Sequence, residues 1–233
     1  MKYNKIAILM AMKQEALPLI KYFRLKKIGF YNPIDVYANE DKSLLLSLSG
    51  QSQEYGIDNI GSQAATLNTF VVINNFSPDL VINCGTAGGF KSKNAKIGDV
   101  YISKDRVLYH DRRISLPGGY REYGFGNYNV INSDLLAKKF KLKQGIISTG
   151  DAFDLNKNDL KIMQENDVEV KEMEAAAIAW VCQLYNIDFI AIKAITDFID
   201  EPEKTSMDFM NNLDLASKRL KEKIIEIIDD LLL

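Results

Sequence analysis

Three carboxylates in this chain stand where an apolar run gives way to a helix-forming one. Glu15 follows Ile8-Leu9-Met10-Ala11-Met12, Glu174 lies in Glu172-Met173-Glu174-Ala175-Ala176-Ala177, and Asp197 closes Lys193-Ala194-Ile195-Thr196-Asp197. Such junctions are where open α/β sheets keep their ligands. Burial at the end of an apolar strand raises a carboxyl's pKa until it retains or shares a proton near neutral pH, so it can serve as a general acid, while a partner carboxylate serves as base or hydrogen-bond acceptor. Ile82-Asn83-Cys84-Gly85-Thr86-Ala87-Gly88-Gly89 adds a glycine-rich turn after an apolar strand, without the spacing of a P-loop or a dinucleotide fingerprint. Each feature alone has a plainer explanation. Asp197 after Thr196 suits a turn cap, Glu15 suits a helix N-terminus, and Met12, Met173 and Phe153 suit core filling.

The elements that must position these groups follow from hydrophobic periodicity. Apolar runs predict strands at 5–11, 34–38, 43–49, 79–84, 98–108, 144–149, 168–172 and 188–195. Segments of helical period predict helices near 13–23, 55–76, 133–140, 157–166, 173–186 and 205–232. The alternation implies a three-layer α/β domain, a mixed and mainly parallel central sheet flanked by helices, with 1–233 as a single domain. The stretch from Pro117 to Gly126 has no clear period, and its glycines and aromatics suggest a functional loop. Leu213, Leu220, Ile224, Ile225, Ile228 and Leu231 form a packing face on the last helix.

A net charge of -2 and no basic stripe longer than Phe140-Lys141-Leu142-Lys143 argue against nucleic acid as a partner and for a small molecule. Cys84 and Cys182 form no C-x-x-C pair and read as small buried hydrophobes. His110 is the single histidine, which removes His-rich metal sites; its run Tyr109-His110-Asp111-Arg112-Arg113 is expected to shape a loop or a subunit contact. The short apolar run at 6–12 is followed at once by Lys13, Gln14 and Glu15, so it reads as a first strand, and nothing approaches a membrane span. A soluble, cytoplasmic protein with no membrane partner is expected.

Taken together and in this order, the four segments resemble the 5'-methylthioadenosine/S-adenosylhomocysteine nucleosidases of the nucleoside phosphorylase family, over about residues 4–215. Residues 85–91, 148–151 and 193–197, with the His110 run, look closer to the plant-type branch, which favours methylthioadenosine. The resemblance implies a nucleoside phosphorylase-like fold and hydrolysis of the N-glycosidic bond of methylthioadenosine to adenine and the thioribose, without metal or organic cofactor. Activity on S-adenosylhomocysteine stays open. It also implies roles. Glu15 is the general base on water, Asp197 the acid that protonates N7 of adenine, with Thr196 orienting its carboxyl. Glu174 accepts from the ribose hydroxyls, and Met12 and Met173 pack on the sugar or thioether. Thr86, Ala87 and Gly88 line the ribose and nucleophile side, and Phe153 stacks on the base beside the backbone that reads it. Asp154 departs from the apolar residue of common bacterial relatives. The family's homodimer, in which a neighbouring loop closes the alkylthio pocket, makes the loop around Leu116, Pro117 and Tyr120 the candidate donor. Bacterial-type phosphorylases carry an Arg shortly before the glycine-rich segment; Ile82, Asn83 and Cys84 stand there instead, which favours water over phosphate. The alternatives are a purine nucleoside phosphorylase and a non-catalytic nucleoside-binding protein.

Overall fold

Strands β1 (Ile6–Met10), β4 (Leu44–Leu48) and β5 (Leu80–Gly89) are almost wholly apolar and buried, as strands covered on both faces must be. The computed structural model describes residues 2–201 and 205–233. In chain order the remaining strands are β2 (Lys26–Tyr31), β3 (Ile34–Ala38), β6 (Val100–Tyr109), β7 (Gly126–Asn129), β8 (Lys143–Thr149), β9 (Val168–Glu172) and β10 (Asp188–Phe198). The helices are α1 (Lys13–Tyr22), α2 (Ser62–Phe76), α3 (Tyr120–Phe125), α4 (Asp134–Phe140), α5 (Lys157–Glu165), α6 (Ala175–Tyr185) and α7 (Thr205–Leu231).

The strands join in one sheet of order β10-β6-β8-β9-β5-β1-β4-β3-β2, with β7 on β6. Because β10 also pairs with β5, the strands β5, β10, β6, β8 and β9 close into a ring. Near its start β5 lies between β1 and β10; near its end, at Gly88 and Gly89, it lies between β10 and β9. Side-chain alternation divides the core. Ile6, Ile8 and Met10 pack with Leu19 of α1, Leu136 of α4 and Ile224 and Ile228 of α7, whereas Ala7 and Leu9 pack with Val72 of α2 and Ala175 to Ala179 of α6. The expected three layers and mixed sheet are present, but by strand pairings the sheet is not mainly parallel: β2–β3, β3–β4, β6–β7, β10–β6 and β5–β9 are antiparallel, as many pairings as are parallel. Among the described residues no helix is long and apolar enough to cross a membrane.

Several expected boundaries move. The helix expected from residue 55 begins at Ser62, because Gly56 and Gly61 take left-handed φ values of 68° and 91° and break the helical path. β2 was not expected: its sequence KKIGFY carries no apolar run, since it is an exposed edge paired only with β3. The aperiodic segment 117–126 holds the short helix α3 and leads directly into β7. Gly85 to Gly89 form no turn. They continue β5 in parallel register with β10, where Gly88 is opposite Asp197. Asp197 likewise lies within β10, just beyond a register shift after Ile195.

Candidate active site

Every residue singled out above as catalytic or ligand-binding lines the same cavity of about 630 Å³: Met12, Glu15, Thr86, Ala87, Gly88, Phe153, Asp154, Met173, Glu174, Thr196 and Asp197. They come from the start of α1, the end of β5, the loop after β8, the start of α6 and the end of β10. The ring closure described above brings these ends together.

Glu15 is buried, and its Oε1 accepts from the Thr86 backbone N–H at 2.9 Å and the Thr86 hydroxyl at 2.6 Å. Burial lifts its pKa above the ordinary glutamate value, with Thr86 and the Lys193 charge pulling partway back. A carboxylate poised in this way takes up a proton more readily than a solvated one. Gly85 lies beside this pair: a Cβ there would make ordinary contacts, 3.4 Å from Glu15 Oε2 and 3.6 Å from Lys193 Nζ.

Glu174 is the residue preceding α6, and its Oε1 accepts from the Gly61 N–H at 2.9 Å. Burial pushes it up to about 7 against the opposing charge of Lys193. Two residues earlier, Glu172 is committed to the fold. It accepts from the N–H groups of Glu174 and Ala175 at the α6 N-terminus, from the Thr149 hydroxyl, and from Lys193 Nζ at 2.8 Å. Sequence alone assigns no role to Lys193 or Glu172. The signal for Lys193 was there: a lysine inside the apolar stretch 189–195 is buried only with partners. Burial works against its charge, and Glu172 and Glu174 nonetheless hold its pKa above the usual value.

Asp197 is buried with its Oδ1 accepting from the Thr196 hydroxyl at 2.7 Å, and Thr196 also donates to the Ala87 carbonyl at 3.2 Å. Burial raises the Asp197 pKa; Thr196 and Lys171 oppose the rise. A Cβ on Gly88 would come within 2.9 Å of Ile199 Cγ1 and 3.0 Å of Asp197 Oδ2, so a side chain there would crowd both. From α7, Asn212 donates to the Thr196 carbonyl at 2.9 Å and ties this end of β10 in place.

Phe153 is 46% exposed, edge-on to Phe209 of α7 at 5.9 Å between ring centroids, so it borders the opening and is not core. Asp154 lies beside it on the wall. Ile57, Ile60, Leu155, Ile199 and Phe209 add apolar wall that the sequence reading had not assigned. Cys84, also on the wall, and Cys182 are unpaired and buried. His110 is fully buried with Nδ1 2.9 Å from the Ser148 hydroxyl, beneath Gly150, so it shapes the loop and cannot itself reach another subunit.

A closed ring of parallel and antiparallel strands, with Glu15, Glu174 and Asp197 facing one cavity, defines an α/β protein with a small-molecule site. The family model described as the phosphorylase superfamily matches residues 5–229. The 5'-methylthioadenosine nucleosidase of Arabidopsis thaliana is 36% identical over 233 residues, covering 97% of this chain and 86% of that protein. The 5'-methylthioadenosine/S-adenosylhomocysteine nucleosidase of the same plant is 37% identical, covering 97% of this chain and 91% of that one. The solved apo structure of the Arabidopsis methylthioadenosine nucleosidase superposes with a TM-score of 0.93 at 35% identity, over 98% of this chain and 96% of the other. The chain belongs to the phosphorylase superfamily and, within it, to the 5'-methylthioadenosine/S-adenosylhomocysteine nucleosidase family.

Proposed function

We propose that this protein hydrolyses the N-glycosidic bond of 5'-methylthioadenosine, releasing adenine and methylthioribose. The observation that carries the reading is the convergence of Glu15, Glu174 and Asp197, from three separate strand ends, on one cavity with all three pKa values raised by burial. Glu15 accepts a proton from water as its oxygen bonds to C1'. The C1'–N9 bond breaks through a cationic sugar, and Asp197, oriented by Thr196, gives its proton to N7 of the departing base. Glu174 has acceptor capacity to spare for the vicinal ribose hydroxyls, because one oxygen meets a single backbone N–H and the other stands 3.9 Å from Lys193. Phe153 supplies the face for adenine, Met12 and Met173 pack on the sugar and thioether, and Thr86, Ala87 and Gly88 form the floor beneath the ribose.

A phosphorolytic reaction on the same fold would place a phosphate dianion beside Glu15 and Glu174, with the nearby Lys193 already paired to Glu172. Carboxylates there repel phosphate and assist water. A binding protein without turnover would have no use for burying both Glu15 and Asp197. We further infer a cytoplasmic homodimer, one catalytic unit per chain; exposed Leu116 on the loop beyond β6, with Tyr120 and Tyr123 of the α3 helix it leads into, support a subunit contact there, and the unpaired cysteines suit a reducing compartment. The test is chromatography of products from methylthioadenosine in phosphate-free buffer. Adenine and free methylthioribose are expected; a requirement for phosphate would establish the phosphorylase, and no product at all the binding protein.

A further inference from the structure

Lys171 is a cation on the cavity wall that the reaction above leaves without a task. It is 7% exposed, and its Nζ donates to two successive carbonyls, Ala152 at 2.7 Å and Phe153 at 2.8 Å. Those residues belong to the loop whose aromatic ring borders the cavity, and the ammonium stands 6.0 Å from the centroid of that ring. Sheet register gives Lys171 a second relationship. Gly88 of β5 pairs with Lys171 of β9 on one side and with Asp197 of β10 on the other. Residues paired across adjacent strands project to the same face, so Lys171 and Asp197 flank a position that has no side chain.

We propose that Lys171 is a positioning residue for the base-binding end, fixing the backbone at Ala152 and Phe153 and standing as the positive counterpart of Asp197 across Gly88. The inference rests on the reading of Asp197 as the acid and Phe153 as the stacking ring. An ammonium is suited to this because it offers three donors and a charge from one atom. The other groups acting on Lys171 are Asp154 beside Phe153, Asp159 of α5 and Asp111 after β6; Asp159 is itself paired with Arg113. Asp197 additionally faces Asp208 of α7, and His110 feels both Lys171 and Arg113. Among these groups Lys171 is the cation that lowers the Asp197 pKa, offsetting the rise from burial. The carboxyl is thereby a stronger acid than its dry surroundings alone would make it.

Two variants separate the two tasks. Lys171→Met removes donors and charge: adenine binding, measured by calorimetry, is expected to weaken about tenfold once both carbonyls lose their partner. The alkaline limb of kcat/KM, where Asp197 loses its proton, is expected to move up by about half to one pH unit. Lys171→Gln keeps amide donors and drops the charge, so the limb should move as far while adenine affinity stays within about threefold. Wild-type adenine affinity in folded Lys171→Met overturns the backbone role, and a limb unmoved in Lys171→Gln overturns the electrostatic one, whether or not the Met variant folds. Asp197→Asn run alongside isolates the underlying reading: if it retains turnover the acid assignment falls, while the adenine-binding arm still reports on Lys171.

Discussion

Glu172 and Glu174 reach the same Lys193 ammonium, at 2.8 and 3.9 Å, but Glu172 also satisfies the first N–H groups of α6 whereas Glu174 does not. Two identical side chains in one short run are thus divided between folding and ligand binding. Glu174→Ala should raise KM for methylthioadenosine with the thermal midpoint little changed. Glu172→Ala should destabilise the protein by about 3–5 kcal/mol, because it strips a buried ammonium of its nearest partner. Steady-state kinetics and urea unfolding of both variants check the division; equal stability losses would refute it.

Asp197→Asn keeps the shape of the side chain and an acceptor for Thr196, but it has no proton to give. Turnover is expected to fall by about two to four orders of magnitude, the usual contribution of a general acid. The fold should persist in circular dichroism. Near-normal turnover by a folded Asn variant would remove Asp197 from its role.

Glu15→Gln should abolish hydrolysis while adenosine analogues still bind, since the Gln carbonyl can accept from Thr86 as Glu15 Oε1 does. Its stability should run the other way. Burial raises the Glu15 pKa, so the folded state holds its proton at pH values where the unfolded chain has released it. The wild-type contribution to stability therefore declines as pH rises from the ordinary glutamate range through the raised value. Thermal melts should find Glu15→Gln the more stable protein at neutral pH and equal to wild type in acid, where both side chains are neutral. A variant less stable at neutral pH would show that the carboxylate is needed by the fold.

Methylthioadenosine should be preferred over S-adenosylhomocysteine. The plant-like segments motivate this, and the apolar residues Ile57, Ile60 and Phe209 on the wall suit a methylthio group better than a zwitterionic amino acid tail. Competition at equal concentrations of the two nucleosides reads the ratio directly. Equal kcat/KM values would break the link between those segments and the tail.

The legible parts of this chain were those where one residue type has one physical use. Strands such as β1 and β5 announce themselves by continuous apolar sequence, and glycines or carboxylates at their ends mark a ligand edge. What could not be read depends on neighbours far along the chain. Gly85 to Gly89 look like a turn because glycine favours turns; pairing with β10, about a hundred residues on, makes them strand. β2 is held by β3 alone and leaves its side chains in water, so it has no hydrophobic period to detect. Lys171 and Glu172 look like surface charges until the ring of strands encloses them.

That ring also sets the order in which the protein can become competent during synthesis. β5 leaves the ribosome with one lateral partner, β1, already made; the strand that completes its other side, β10, follows only after β6 to β9 and α6 have been translated. A nascent chain ending after α6 holds Glu15, Thr86 and Glu174 but lacks Lys193, Asp197 and the β10 partner of Gly88. Until β10 arrives, the unpaired edge of β5 is exposed to other chains, and pairing across so long a sequence interval is slow. Chains stalled after α6 should accordingly be protease-sensitive at β5 and fail to retain adenine, whereas extension through α7 restores both protection and binding.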